Sequence, residues 1–280
     1  MADHSQWGRP LPDRPGLAWL GQAGFWIETG AHQILVDPYL SDSLAMKYAG
    51  QPMDHIRLMP PPVSPAQLPR PGIVLVTHAH TDHMDGETLA PIAARFPDLP
   101  FVVPAAREAQ ARARIGAAAR LVAVDAGDVI EPLDGLQIHV MPAAHETRER
   151  DAAGRHLFLG YGIVSGGHRI YHSGDTVPFN DLTSAVAEFA PQLTLLPVNG
   201  RSAALHAAGV PGNMTLDEAI GMTRAVGARR MVAHHFGMFA FNTLDPDLID
   251  RAAAATHLPT ILRPRIGRPI SLAFRGMKDG

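Results

Sequence analysis

The residues able to carry chemistry are concentrated in one short segment. Directly after the apolar residues 74–76 stand His78, His80, Asp82 and His83. Side chains alternate in an extended segment, so the first three are expected on one side while His83 turns away. Neutral imidazoles and a carboxylate that converge suit a divalent first-row metal ion, and His83 is available to a second ion. The alternative, a polar turn facing solvent, is disfavoured because four ligand-type residues rarely fall in this pattern.

Three further ligand-type residues stand where predicted strands stop. These are His145, Asp175 and His235. Gly174 allows a sharp backbone turn that points Asp175 inward. His234 competes with His235 for the last position, and the residue types alone leave that choice open. The sequence therefore predicts one metal-binding cluster assembled from several strand ends.

The types and order of these seven residues resemble the metallo-β-lactamase superfamily, whose signature His-x-His-x-Asp-His follows an apolar strand. The resemblance covers essentially the whole chain. It implies an α/β (α+β) fold of four layers, αββα, with two facing β-sheets, outer helices and the ions at one edge of the sandwich. It also implies that one ion is held by His78, His80 and His145, the other by Asp82, His83 and His235, with Asp175 bridging them.

Four stretches resemble, more narrowly, the ascorbate-6-phosphate lactonase branch of that superfamily. They are residues 19–25, 171–175, 213–215 and 235–242. The alignment with that branch places the ligand at His235 rather than His234, and Gly237 stands where the branch has an aspartate. The resemblance implies a metal-dependent hydrolase, first of all a lactonase acting on a small sugar-acid lactone, with or without a phosphate.

In such a hydrolase the expected catalytic residue is Asp82, which would accept a proton from the attacking water and pass it to the leaving group. One or two divalent ions are expected. Ligation without sulfur accepts Zn²⁺ or Mn²⁺; the lactonase branch favours manganese and the wider superfamily zinc. Asn199 and Arg201, beyond another predicted strand, are candidate substrate contacts because Arg201 could pair with a phosphate or carboxylate. A turn residue and an exposed charge are the equal alternative.

Two other functions fit the same residues. A phosphodiesterase of the same fold is the first alternative, since related metal sites cleave phosphodiester backbones. A non-catalytic or redox metalloprotein is the second. Flavin-coupled di-iron relatives carry a glutamate in place of the second histidine, so His80 and the chain length disfavour that class. A scaffold without activity would be expected to lose ligands, and none is missing.

Composition narrows the class of protein. The chain has 280 residues, 46% of them hydrophobic and 18% charged, which predicts a folded chain, interpreted as a single domain over residues 1–280. A net charge of −3 disfavours a dedicated nucleic-acid binder. Without cysteine, a secretory leader or a long apolar run, the sequence predicts a cytoplasmic protein that acts on a small molecule rather than on a membrane. Homo-oligomer formation is left open.

Local patterns predict the elements that position the cluster. Residues 25–36 predict a β-hairpin, and helices are expected to begin at N-caps Asp85, Thr215 and Asp245. Residues 40–70 lack a periodic pattern, which predicts a long loop that acts as a lid or faces the substrate. Further predictions are a loose lead-in over residues 1–15, a helix over residues 105–116 and a closing strand over residues 270–274.

Overall fold

Two seven-stranded β-sheets form the centre of the molecule. The computed structural model describes Leu11 and residues 15–273. The strands of the first sheet are β1 (Gly16–Gly21), β2 (Gly24–Glu28), β3 (Gln33–Val36), β4 (Ile73–Leu75), β5 (Pro100–Pro104), β6 (Arg120–Val124) and β14 (Ile270–Ser271). Those of the second are β7 (Val129–Leu133), β8 (Leu136–Pro142), β9 (Leu159–Ser165), β10 (His168–His172), β11 (Leu193–Pro197), β12 (Arg230–His234) and β13 (Thr260–Leu262).

The two sheets have the same internal plan. The first runs β14-β1-β2-β3-β4-β5-β6, antiparallel as far as β3 and parallel from β3 onward. The second runs β13-β12-β11-β10-β9-β8-β7, parallel from β13 to β10 and antiparallel beyond. The carboxyl ends of neighbouring parallel strands lie at one edge of each sheet, and ligand-type residues can gather there.

Helices cover the outer face of each sheet and complete four layers. The described residues form seven α-helices, of which α1 and α5 are short. They are α1 (Ser43–Lys47), α2 (Gly86–Arg95), α3 (Glu108–Ile115), α4 (Asn180–Phe189), α5 (Ala203–Ala207), α6 (Leu216–Ala225) and α7 (Pro246–Ala255). Helices α2 and α3 pack on the first sheet, and α4, α6 and α7 pack on the second. The predicted αββα fold class is confirmed.

Burial on both faces explains why the central strands consist mainly of apolar residues. β4, β5 and β11 are buried throughout, because the facing sheet covers one side and helices the other. The apolar residues between the sheets, among them Phe25, Val36 and Tyr161, join in one core. A second core lies between the first sheet and helices α2 and α3, where Leu89 and Ile92 pack.

Most predicted elements are present, with their predicted caps. Strands β2 and β3 pair antiparallel as the predicted hairpin. The Asp85 side chain accepts from the backbone N–H of Glu87, and Asp245 caps α7 in the same way. Thr215 and Glu218 form a reciprocal capping box at the start of α6.

Several differences from prediction fall on short or exposed elements, but β1, six residues buried throughout, and β13 were also not predicted as strands. The predicted helix over residues 105–116 is divided into a 3₁₀ turn at 105–107 and α3. Strand β7 was not predicted; it is an edge strand interrupted by a proline, and none of its five residues is buried. α1 and α5, five residues each, were also not predicted. The strand expected over residues 270–274 covers Ile270–Ser271, and residue 274 lies outside the described residues.

No helix in the described part of the chain has both the length and the apolar character needed to cross a membrane. The lead-in predicted for residues 1–15 lies mostly outside the described residues, which exclude 1–10, 12–14 and 274–280. The assignment of residues 1–280 to one domain therefore stays a prediction.

Candidate metal centre

The segment that follows β4 is a turn, and this corrects one prediction. The backbone N–H groups of His83 and Met84 both donate to the carbonyl of His80, at 3.1 and 2.8 Å. The chain therefore curls back on itself after His80 rather than continuing extended. The expectation that His83 turns away is wrong, because the turn brings its fully buried side chain back to the cluster.

Asp175 lies in the middle of the cluster. Its Oδ1 is 3.4 Å from His83 Nε2, and its Oδ2 is 3.0 Å from His235 Nε2 and 3.7 Å from His145 Nε2. Gly174, with φ of +60°, makes the turn that delivers it. A Cβ at this glycine would lie only 2.7 Å from a backbone carbonyl of the neighbouring strand, so a larger residue would displace Asp175.

The imidazoles of His78, His80 and His145 form a second part of the cluster. Their ring centroids lie 4.7 Å (His78–His80), 5.1 Å (His80–His145) and 5.9 Å (His78–His145) apart. His78 and His145 are buried, whereas His80 is open to solvent. The structure thus gathers all seven residues that the sequence singled out as ligands, although they come from four separate strand ends.

Unpaired polar atoms test whether this cluster suits a metal ion. His78 Nε2, His83 Nε2 and Asp175 Oδ1 are buried without a hydrogen-bond partner. In two sets, one of His78, His83 and Asp175 and one of Asp82, His83 and His235, the donor atoms lie within 4.8 Å of one another. Buried polar atoms left without a partner cost free energy, so their convergence fits a divalent cation. Their role as metal ligands stays a prediction.

At three of the candidate ligand histidines, the ring nitrogen that faces away from the cluster has a partner. His83 Nδ1 donates to Asp37 Oδ2 at 2.7 Å, and Asp37 also accepts from the backbone N–H and hydroxyl of Thr77. His78 Nδ1 lies 3.0 Å from the Thr77 hydroxyl, and His145 Nδ1 lies 3.0 Å from the carbonyl of Gly212. Each contact leaves Nε2 directed to the cluster, the arrangement that orients histidine ligands of metals. Through these contacts Asp37 supports the cluster from behind His83.

The charges of the cluster differ from one side to the other. Burial disfavours a charged imidazole at His83, yet three neighbouring carboxylates, led by Asp175, prevail and raise its pKa well above the ordinary value. Burial would raise the pKa of Asp175, but His235 and His83 hold it well below the usual range. Burial lowers the pKa of His78 far below its usual value and also lowers that of His145.

Gln22 belongs to the site, and sequence reasoning gave it no role. Its Nε2 donates to Asp82 Oδ2 at 2.8 Å and lies 3.1 Å from His235 Nε2. Its backbone carbonyl accepts from the backbone N–H of His235 and from the Trp19 indole. The signal that could have found it is its place in the tight turn between β1 and β2, inside a stretch already recognised as family-like.

The structure brings His235, rather than His234, to the cluster. His234 ends strand β12, where its ring stacks on His172 at 4.9 Å and meets Phe25 edge-on. His172 Nε2 donates to the carbonyl of Ala23, and its Nδ1 accepts from the backbone N–H of Gly174. His172 therefore has a structural position behind the cluster.

The two predicted substrate contacts bind other parts of the protein. Arg201 forms a two-pronged pair with Glu218 at 2.6 Å for each contact, and it also donates to the carbonyl of Asn213. Asn199 exchanges hydrogen bonds with the side chains of Asn242 and Asn213. Neither residue lines the cavity over the cluster, so their contact with a substrate stays a prediction without structural support.

A cavity of about 470 Å³ opens over the cluster. Its floor includes His80, Asp82 and Asp175, and residues 44–55 supply one wall. The predicted substrate-facing segment 40–70 therefore does line the cavity. This segment is hydrogen-bonded to the turn after β4 through Asp85, which accepts from the hydroxyls of two serines in the segment.

Comparison with known proteins defines the class. A family model described as "Beta-lactamase superfamily domain" matches residues 32–236, and the chain belongs to this family. Two relatives show its range. An uncharacterized protein of Mycobacterium tuberculosis is 29% identical over 81% of this chain, which spans 59% of that relative's length. A UPF0173 metal-dependent hydrolase of Pyrobaculum aerophilum is 28% identical over 82% of this chain and 88% of its own.

A solved structure shows the same fold. The isothiocyanate hydrolase from Delia radicum gut bacteria superimposes with a TM-score of 0.75. The match covers 92% of this chain and 99% of that one, at 18% sequence identity. At that identity the likeness supports the fold alone.

Proposed function

We propose that this protein is a metal-dependent hydrolase and, within that class, a lactonase. The observation that carries the proposal is the convergence of buried, unpaired atoms on His78, His83 and Asp175 beneath an open cavity. The name of the Pyrobaculum relative, which calls it a metal-dependent hydrolase, supports the class.

One or two divalent cations, Zn²⁺ or Mn²⁺, fit the cluster. His78, His80 and His145 would hold one, and the side formed by Asp82, His83 and His235 the other, with Asp175 shared between them. When bound, such a cation lowers the pKa of water and polarises the substrate's oxygen.

The protein's own residues hold and move the proton. Asp82 lies at the cavity floor, partly exposed, with one oxygen fixed by the Gln22 amide. Burial would raise its pKa, but His83 and His235 bring it below its usual value, so Asp82 is ionised at neutral pH and can accept a proton. The same carboxyl, once protonated, returns the proton to the departing alkoxide. Gln22 keeps Asp82 in position for both transfers.

Ester-ring opening suits this arrangement. The alkoxide that leaves a lactone carbonyl needs a proton, and Asp82 supplies it without an exchange with bulk solvent. The cavity volume is in the range of small-molecule sites. The resemblance of residues 19–25 and 235–242 to the lactonase branch supports the same reaction.

A phosphodiesterase is the second candidate, because Arg107 and Arg114 both line the cavity. Arg114, however, donates to the carbonyls of Ala79 and Met84 and so stabilises the turn after β4. Arg107 and the exposed Lys47 are left to face a phosphate. Only one of these two cations can form a two-pronged contact with a phosphate, which makes this the weaker candidate.

A substrate panel tests the proposal. Purified protein is stripped of metal, reloaded with Zn²⁺ and then with Mn²⁺, and assayed against lactones, phosphodiesters and acyl esters. We expect metal-dependent lactone opening that is abolished in His80→Ala. The matched control is His168→Ala, a half-buried histidine at the start of β10, which should retain wild-type turnover. Turnover of phosphodiesters alone would favour the second candidate, and wild-type turnover in His80→Ala would refute the site.

A further inference from the structure

Four aromatic side chains form one wall of the cavity, here called the aromatic wall: Tyr48, His55, Phe239 and Phe241. Tyr48 stacks on His55, with ring centroids 4.3 Å apart. His55 in turn meets Phe239 and Phe241 edge-on, at 4.9 and 4.8 Å. Because Tyr48, His55 and Phe241 are only half-buried, the wall still offers ring surface to the cavity.

The aromatic wall is held in place and carries no net charge. The backbone N–H of Leu58 donates to the carbonyl of Met238, which joins the segment of His55 to that of Phe239. His55 Nδ1 lies 3.0 Å from the carbonyl of Met53, and burial lowers the pKa of His55, so the ring is neutral at pH 7. A fixed apolar surface is suited to one flat partner rather than to many shapes.

Three large apolar side chains in the segment that carries Tyr48 and His55 face solvent. Met46 and Ile56 are each 61% exposed, and Leu58 is 57% exposed. Among the described residues, Val129 and Leu258 are the other large apolar side chains with comparable exposure. These three side chains neighbour Tyr48 and His55 in the sequence but are not part of the cavity lining, so the ligand surface proposed below is the aromatic wall alone.

The aromatic wall stands at one end of the cluster. Phe239 follows His235 by four residues, and the wall lines the same cavity as Asp82 and His235. Phe158 marks the other end, with its ring 5.6 Å from that of His80 and 5.5 Å from that of His145. A group that lies on the wall therefore shares the cavity with Asp82, the residue proposed to move the proton.

We propose that the substrate carries a flat apolar group, such as an aryl ring, that packs on the aromatic wall while its scissile ester lies over the cluster. This rests on the proposed function. In the reaction, the oxygen of water bonds to the acyl carbon, the acyl carbon–alkoxide bond breaks, and the proton from water reaches the alkoxide through Asp82. A polyhydroxylated lactone would place hydroxyl groups against the rings and lose hydrogen bonds to water there.

The kinetic test compares two lactones that share one scissile ring. γ-Butyrolactone bearing a phenyl substituent and γ-butyrolactone bearing a hydroxymethyl substituent are assayed with Zn²⁺-loaded protein. We expect kcat/KM to favour the phenyl lactone by about tenfold. Phe241→Leu should reduce that ratio to near unity, and Tyr48→Leu should do the same if Phe241→Leu fails to fold. Phe179→Leu, a half-buried phenylalanine before α4, is the matched control and should leave the ratio unchanged.

A binding measurement separates this inference from the proposed function. Calorimetric titration of Zn²⁺-loaded protein with 4-phenylbutanoate, which cannot be hydrolysed, should show binding that Phe241→Leu weakens about fivefold. If no lactone is opened but this binding and its loss are seen, the proposed function fails, and with it the placement of a scissile ester, while the binding of a flat apolar group by the aromatic wall stands. A preference for the hydroxymethyl lactone, or a ratio that Phe241→Leu and Tyr48→Leu leave unchanged, overturns the inference.

Discussion

The two sides of the cluster differ in charge and in what supports them. On one side, His83 lies among the carboxylates of Asp37, Asp82 and Asp175, and we call this the carboxylate side. On the other side, the imidazoles of His78, His80 and His145 meet, and we call this the imidazole side. A cation gains more from neighbouring negative charges than from neutral imidazoles, so the carboxylate side is expected to hold its ion more tightly.

The two sides also differ in the groups that hold their histidines in position. On the carboxylate side, Asp37 is fully buried directly after β3 and fixes His83 through a side-chain carboxylate. On the imidazole side, His145 is oriented by the carbonyl of Gly212, in the long connection between β11 and α6. Sheet ends move less than connections, so the two ions should respond differently to mutation, pH and loss of loop contacts.

The largest effect is expected where the two sides meet. Asp175→Ala removes the carboxylate that contacts His83, His145 and His235, so both ions should be lost together and hydrolysis should fall by about three orders of magnitude. Metal content by elemental analysis and kcat/KM check this. The surface carboxylate Asp181, paired with Arg148, gives the control Asp181→Ala, which should keep metal and activity. Retention of one full equivalent of metal in Asp175→Ala would contradict a shared carboxylate.

A smaller effect is expected at Asp37, confined to one side. Asp37 has a φ of +41°, which asparagine tolerates, so Asp37→Asn keeps the backbone and removes the charge behind His83. The affinity of the carboxylate side should fall about 10- to 100-fold, as is usual for partners of metal-bound histidines. Competition with a chelator, resolved into two binding steps, measures both affinities. An equal loss on the imidazole side would remove the distinction between the two.

The metal affinities of the carboxylate side and the imidazole side should depend differently on pH. The raised pKa of His83 means that it holds a proton at neutral pH in the metal-free protein, whereas the lowered pKa values of His78 and His145 leave them neutral. A metal ion needs the unprotonated imidazole, so binding on the carboxylate side must release that proton. Burial would lower the pKa of His235, but Asp175 raises it above its ordinary value as well. The affinity of the carboxylate side should therefore rise at least about tenfold per pH unit until these raised pKa values are passed, and the other side should change little above neutral pH. Calorimetry in buffers of different ionisation heat counts the released protons.

The sequence predicts which residues meet in this cluster better than it predicts what supports them. Ligand-type residues at strand ends can be located because neighbouring parallel strands share an edge, and Asp175 and His235 are both found in this way. The inward turn of His83, the amide of Gln22 and the carbonyl of Gly212 depend on how loops fold and leave no periodic signal. The aromatic wall was missed for the same reason: its members are nearly two hundred residues apart in a segment without periodicity and beyond β12.

The smallest effect is expected from the ion pair between Arg201 and Glu218, which anchors the connection that carries Gly212. Its hydrogen bonds to Arg201 lower the pKa of Glu218 to about 2 from an ordinary 4.5. Stability from this pair is therefore fully present above the ordinary pKa and is lost as the pH falls towards 2. Since solvent screens the pair, Glu218→Gln should cost about 1 kcal/mol at neutral pH, with a cost that vanishes in acid.

Glu218→Gln should also change metal binding on the imidazole side. Looser anchoring of Gly212 should weaken the hold on His145, so that metal affinity there falls about threefold while the carboxylate side is unchanged. The matched control is Asp250→Asn, which breaks the surface pair with Arg263 far along the chain from the cluster. It should reduce stability comparably in thermal unfolding and leave both metal affinities unchanged. If Glu218→Gln behaves like this control, the connection does not support His145 through its ion pair, and the proposed difference in support loses its basis.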